Sequence, residues 1–249
     1  MGEILKLEKV SRSFDGLKTV DGLSVDIEEG RISAIIGPNG AGKTTLFNLI
    51  CGYLYPDYGR MVYRGRDITM LTPWERASAG IGRLFQDIRV FRKLTLLENL
   101  LVTFNDGSEN PFKAVFGRRN GKEAEKLKTA TKWLDFVGLS NMKDDFAERL
   151  SWGQQKLLSI ARLLCGNFDL LLIDEPVSGV NPAMAEIILE KIKELKAMSK
   201  TVIVVEHDME AVKTVADYVY FMDSGKITAS GLPEVILNNR EVMETYIGF

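Results

Sequence analysis

Gly37-Pro38-Asn39-Gly40-Ala41-Gly42-Lys43-Thr44-Thr45 is the stretch from which the rest of the chain is read. Its first eight residues fit the spacing G-x-x-x-x-G-K-[ST]. Glycines let the backbone turn successive N–H groups inward as an anion nest. The helix pattern over residues 43–51 adds the positive end of its dipole. In this setting the Lys43 ammonium reaches the β and γ phosphates of a nucleotide. The Thr44 hydroxyl serves Mg²⁺, and Thr45 hydrogen-bonds the α phosphate. A glycine-rich turn beside a surface lysine would carry the same letters. The flanks weigh against it, because the apolar run 31–36 reads as a buried strand entering the loop and a helix leaves it. Residues 37–45 are therefore expected to bind ATP with Mg²⁺.

A second stretch supports the first. Leu170-Leu171-Leu172-Ile173-Asp174-Glu175 is an apolar strand ending in two carboxylates. A core strand does not normally end in adjacent acids unless they meet a cation or a proton. Asp174 is placed to hold Mg²⁺, and Glu175 to orient and polarise an attacking water. The alternative is an acidic turn that merely ends a strand. His207, the only histidine, follows the apolar run 201–205. It is expected at the carboxyl edge of a parallel sheet, where ligands of open α/β folds bind. A lone histidine is more often structural, but this position favours contact with a γ-phosphate.

Composition sets the limits. The chain has 249 residues, 45% of them hydrophobic, enough for a sizeable core. Thirty-two Lys and Arg against 34 Asp and Glu give a formal net charge of -2. That balance does not point to a nucleic-acid partner, which requires phosphate neutralisation. The basic cluster of Arg118, Arg119, Lys122 and Lys126 reads as a solvated face. Cys51 and Cys165 fall on apolar helix patterns without metal spacing, and read as reduced core thiols. The N-terminus lacks a secretory pattern. No run approaches the roughly 18–20 apolar residues that span a bilayer.

Read for organisation, residues 4–10, 23–27 and 61–63 are strand-like, with turns at Asp15-Gly16 and Asp57-Tyr58-Gly59. Helical spacing appears over 94–102 and 124–137, flanking a loop or insertion at 105–121. Residues 151–165 form a further helix, with Ser151 suited to its N-cap. Strand and helix then alternate again, with a helix over 184–198 and a hairpin around Asp223-Ser224-Gly225. The pattern is an α/β core interrupted by a mostly helical insertion.

These pieces, in this order, resemble the ATP-binding-cassette (ABC) family. Leu150-Ser151-Trp152-Gly153-Gln154-Gln155 looks like its L-S-G-G-Q signature, which plain phosphate-loop GTPases and kinases lack. Gln86 matches the Q-loop, residues 177–181 the D-loop with Ser178 and Asn181, and His207 the switch histidine. Phe14 stands where the family stacks an aromatic ring on adenine. Trp152 replaces the first signature glycine and Asn181 the usual aspartate. Both departures, with the segments 82–91 and 205–209, resemble the ATP-binding subunits of branched-chain amino acid importers, and urea importers share them. Trp152 is also readable as a plain core or surface aromatic.

The resemblance implies a P-loop NTPase fold of the ABC type, with an antiparallel β subdomain and a helical subdomain insertion. Residues 1–86 and 168–249 would be the ATP-binding core and 87–167 the signature subdomain. Glu175, His207 and Gln86 would be catalytic, with Thr44, Gln86 and Asp174 at the metal. Ser151, Trp152, Gly153 and Gln154 would reach the nucleotide of a second ATP-binding subunit, identical or related, paired head to tail. The further implied partners are integral-membrane permeases, with residues 87–99 as the docking region, and indirectly a substrate-binding protein. The implied place is the cytoplasmic face of the cell membrane. A soluble ATPase of the same family, acting in DNA repair or translation, is the competing reading. Its relatives carry two cassettes or a long coiled coil, and this chain has neither. A nucleotide switch without turnover is disfavoured by the presence of both Glu175 and His207.

Overall fold

The structure is a computed structural model describing residues 2–87, 89–104 and 121–247. The insertion expected at 105–121 and half of the basic cluster therefore lie outside the described residues, except that Gly121 opens a helix. Two sheets organise the rest. Strands β1 (Glu3–Phe14) and β2 (Leu17–Glu28) form a hairpin much longer than the short runs read from sequence. Its turn is Asp15-Gly16, both at positive φ, the geometry that matches strand twist. The antiparallel sheet continues through β4 (Tyr58–Tyr63) and β5 (Arg66–Asp67) in the order β2-β1-β4-β5. Strand β4 takes in Tyr58 and Gly59, which read as a turn. The turn residue is Asp57, whose carboxylate accepts from Arg12 Nη1 and from the Ser13 N–H.

The second sheet has the order β10-β9-β3-β8-β7-β6. Here β3 is Ile32–Ile36, β6 Ile81–Leu84, β7 Leu170–Asp174, β8 Thr201–Val205, β9 Tyr218–Asp223 and β10 Lys226–Gly231. Strand β3 runs parallel to both β8 and β9, and β7 runs parallel to β8. Strands β3, β7 and β8 are buried at every residue, which is why they read as unbroken apolar runs. The parallel arrangement puts the ends of β3, β7 and β8 on the same edge, and each is followed by a candidate residue.

Chain contacts divide the protein into two compact units. One comprises Met1–Arg83, Asp169–Pro176 and Ile192–Phe249. Its main core packs Leu46, Phe47, Leu49 and Ile50 of helix α1 (Lys43–Cys51) with Leu5, Val20, Leu172 and Ile203. The other comprises Leu84–Phe168 and Val177–Lys191. Within it, capping boxes start α3 (Leu96–Leu101, cap Thr95 with Glu98) and α5 (Trp152–Cys165, cap Ser151 with Gln154). Between these lies α4 (Gly121–Phe136). The buried Asn99 side chain accepts from the Phe91 N–H and donates to the carbonyls of Phe91, Leu94 and Thr95. That one amide fixes the turn before α3.

Helix α2 (Pro73–Ala79) supplies an element that sequence reading left out. Its Arg76 is fully buried and donates to four backbone carbonyls, those of Leu49, Ile50, Thr69 and Leu71. A guanidinium at the carbonyl end of α1 meets the negative pole of the helix that starts at the phosphate loop. Both cysteines are buried and free, with thiols pushed up by burial to about 11 for Cys51 and about 12 for Cys165. Substituting Arg76 by Leu is expected to lower the unfolding free energy by about 3 kcal/mol, because charge-assisted bonds at buried carbonyls are lost. Urea denaturation measures this, and a wild-type midpoint would contradict it.

Candidate active site

The phosphate loop leaves β3 at Gly37. A Cβ there would lie 1.9 Å from the Met222 carbonyl oxygen. At Gly42, with φ 102°, it would lie 2.2 Å from the Thr19 carbonyl oxygen. Glycine at both positions is thus a requirement of close packing, and the loop's curvature follows from it. The Gly225 N–H, in the β9–β10 turn, donates to the Ala41 carbonyl at 3.0 Å and fixes the loop from outside. Pro38 is half-buried, and Asn39 and Gly40 are exposed.

Lys43 is buried at the start of α1. Its ammonium donates to the carbonyls of Gly37 at 2.7 Å and Pro38 at 2.9 Å. Burial holds its pKa below the ordinary lysine value, and the carboxylates of Glu175 and Asp174 oppose that shift. Thr44 is exposed and Thr45 half-buried. Phe14 ends β1 and is 40% exposed, and the Arg12 guanidinium carbon lies 5.0 Å from its ring centroid.

Asp174 closes β7 and is nearly buried. Its carboxylate accepts from Arg83 Nη2 at 3.0 Å, an ion pair with both side chains under one-tenth exposed. Arg83 also donates to Asn48 Oδ1 of α1 at 2.6 Å and lies over the Phe47 ring. It therefore joins the acidic strand to the helix of the phosphate loop. Sequence reading missed this role, because a cation in a four-residue strand looks like any other. Burial raises the Asp174 pKa, and Arg83 counters that most strongly.

Glu175 has φ 46°, a conformation that non-glycine residues seldom adopt and that concentrates at functional sites. Its N–H donates to the Val205 carbonyl at 2.9 Å. The backbone is thus held to β8 while the side chain meets His207, with Glu175 Oε1 3.2 Å from His207 Nε2. Burial chiefly, then the charge of Lys43, lowers the His207 pKa against the pull of Glu175.

The phosphate loop, Asp174, Glu175, His207 and Phe14 all belong to the first unit. Gln86, the signature residues, Ser178 and Asn181 belong to the second. Gln86 is exposed just beyond β6. Ser151 Oγ accepts from the Gln154 N–H at 3.3 Å, and Gln154 Oε1 accepts from the Ser151 N–H at 3.0 Å. Gly153 is buried, and a Cβ there would lie 2.2 Å from Met184 Cγ. Trp152 is 47% exposed, with its indole nitrogen against Gly179. Ser178 is exposed. Asn181 Oδ1 accepts from the Met184 N–H at 2.9 Å and so caps helix α6 (Pro182–Ala197). An aspartate would accept the same bond, which accounts for asparagine serving at this position.

The donor chemistry suits Mg²⁺. The Thr44 hydroxyl and Asp174 carboxylate are hard oxygen ligands. Among the described residues no group of three or more His, Cys, Asp or Glu could hold a metal unaided. Mg²⁺ characteristically takes one or two protein oxygens and completes its shell with phosphates and water.

An anion nest at a helix start, beside two acids and a histidine on one sheet edge, defines a phosphate-loop nucleotide-binding protein. A profile of the ABC transporter family matches residues 20–178. A probable branched-chain amino acid transport ATP-binding protein, LivG, of Archaeoglobus fulgidus is 40% identical over 246 residues, spanning 99% of this chain and 96% of that protein. A crystal structure of the ADP conformation of MJ1267, an ATP-binding cassette of an ABC transporter, is similar with a TM-score of 0.89 and 38% identity over all of both chains. A dimeric post-hydrolysis structure of the ATP-binding cassette MJ0796, bound to ADP and Pi, is similar with a TM-score of 0.76 and 26% identity, covering 92% of this chain and 98% of that one. This chain belongs to the ABC transporter family, as an ATP-binding and ATP-hydrolysing cassette.

The single histidine gives a direct check on the site's electrostatics. Burial and the Lys43 cation both disfavour its proton, so the folded imidazole is expected to titrate below 6.5. As pH falls through 6.5 the unfolded chain takes up this proton first, and the group's contribution to stability declines. Proton NMR of the imidazole measures the midpoint, and a folded value at or above 6.5 would contradict the arrangement.

Proposed function

We propose that this chain is the ATP-driven motor of an importer for branched-chain amino acids, acting on the cytoplasmic face of a membrane through permease subunits. The carrying observation is the Glu175–His207 pair at the sheet edge that also carries Lys43 and Asp174. The solute class is supported by near full-length similarity to a protein named for branched-chain amino acid transport. Among the described residues no helix is long and apolar enough to cross a membrane, so passage of solute belongs to partners.

Residues 1–86 and 168–249 serve as the ATP-binding core and 87–167 as the signature subdomain, although by chain contacts residues 84–86 and 177–191 group with the second compact unit. Phe14 stacks on adenine, and the loop Gly37-Pro38-Asn39-Gly40-Ala41-Gly42 cradles the phosphates through its backbone N–H groups, Pro38 having none to give. Lys43 exchanges its loop carbonyls for β- and γ-phosphate oxygens. Thr45 hydrogen-bonds the α phosphate. Thr44, Asp174 and Gln86 hold Mg²⁺, which when bound neutralises charge on the phosphates. Glu175 orients and polarises the attacking water, and His207 donates to the γ-phosphate.

Two copies, or this chain and a related one, pair head to tail. The similar MJ0796 cassette is dimeric, which supports pairing. Ser151, Trp152, Gly153 and Gln154 then face the nucleotide held by the other subunit, and Ser178 and Asn181 lie along the seam. The Ser151 hydroxyl accepts a bond in its capping box, so its own hydrogen is available to an anion. Residues 87–99 receive the permease. A closed dimer that prefers ATP to ADP reopens on hydrolysis, since a ligand shifts an equilibrium only by its differential affinity.

Glu175→Gln is expected to keep ATP affinity, lose about 10²- to 10⁴-fold in turnover and accumulate as an ATP-dependent dimer. Turnover assays with size-exclusion chromatography test this, and wild-type hydrolysis would sink the assignment. Ser151→Arg is expected to abolish ATPase activity while monomeric ATP binding by calorimetry persists. Loss of that binding too would refute action in trans.

A further inference from the structure

The last described helix, α9 (Arg240–Ile247), meets the site at one atom. The Tyr246 hydroxyl donates to the His207 carbonyl at 2.6 Å and lies 3.4 Å from His207 Nδ1. On the other side, the His207 N–H donates to Glu206 Oε2 at 3.1 Å. The peptide units flanking the histidine are thus both tied, and the imidazole sits between the phenol and the Glu175 carboxylate. One end of the ring meets Tyr246 through Nδ1, and the other meets Glu175 through Nε2.

Tyr246 is itself held. Its ring packs on the apolar cluster that contains Val212, Val219, Phe221, Ile236 and Val242. Burial, followed by the nearby carboxylates of Glu206, Asp208 and Glu175, raises the phenol pKa, so the hydroxyl keeps its proton and remains a donor. The one phenol proton goes to the His207 carbonyl, so Tyr246 holds the histidine through its backbone while its oxygen lies beside Nδ1. Next to it, Asp208 caps α7 (Met209–Val215), so the segment after His207 is fixed by a separate device.

We infer that Tyr246 is a positioning residue for His207, and that α9 clamps the histidine in the orientation that pairs Nε2 with Glu175. The clamp fixes which ring nitrogen faces the carboxylate and leaves nucleotide binding to the phosphate loop. This rests on the proposed hydrolytic role of Glu175 and His207, and the experiment separates the two.

The chain's single imidazole is observed by proton NMR in the full-length, nucleotide-free protein, and steady-state ATP hydrolysis is measured alongside. In Tyr246→Phe the imidazole signals are expected to shift and broaden. Turnover is expected to fall about 3- to 10-fold, the scale of one lost hydrogen bond, with KM for ATP unchanged. Arg240→Ala removes an exposed ion pair with Glu244 from the same helix and is expected to leave both readouts as in the wild type. In the wild type, a through-space cross-peak between the rings of Tyr246 and His207 is expected, which keeps the test open if the Phe variant fails to fold. Unchanged imidazole signals in Tyr246→Phe, an absent cross-peak, or an equal response to Arg240→Ala would overturn the clamp. The NMR arm requires no hydrolysis, so a wild type that proved inactive would remove the functional reading and leave the clamp to be judged on its own.

Discussion

A lysine ammonium buried at the head of a helix has to find oxygen, and Lys43 finds it in the two carbonyls that open its own loop. Most of the site follows from that constraint. The loop must curl far enough to present those carbonyls, which brings it against Met222 and Thr19 and excludes a Cβ at Gly37 and Gly42. A loop curled in this way is the geometry in which backbone N–H groups can form an anion nest. A buried cation further needs anions within range, and β7 delivers two of them to the same edge of the sheet. The parallel order β3-β8-β7 is what makes that delivery possible.

Each charge on this edge is compensated locally. Asp174 would be driven toward its neutral form by burial, and Arg83 supplies the opposing charge from the neighbouring strand. Glu175 occupies a backbone conformation that costs on the order of 1 kcal/mol or more, and its N–H bond to Val205 holds it there. Arg76 answers the negative pole at the far end of α1, while the near end, capped by Gly42 without a side-chain bond, keeps the positive pole that favours an anion. Stability and chemistry meet in α1, because the helix that presents the loop is also the one that fills the main core.

The loop, the acidic strand, the histidine and the helix starting after Ser151 were all legible in the sequence. Each announces itself locally, through glycine spacing, an unbroken apolar run or a capping residue. The β1–β2 hairpin was only partly legible, because exposed and buried residues alternate irregularly where its register shifts. Helix α2 was hidden by its shortness, as were α8 (Pro233–Leu237) and α9. Arg83 and Arg76 were invisible for a deeper reason. A buried cation is identified by what surrounds it, and their partners lie as many as 91 residues away in the chain. Asn181 looked like a departure from pattern until its side chain was seen to cap α6.

The reciprocal pairing of Ser151 and Gln154 has one further consequence. It makes the start of α5 a finished helix end, with two N–H groups already answered inside the chain. In the role proposed for this helix start, an incoming phosphate gains only the margin between one good set of partners and another. In that proposed role, a signature never left wanting would serve release as much as recognition.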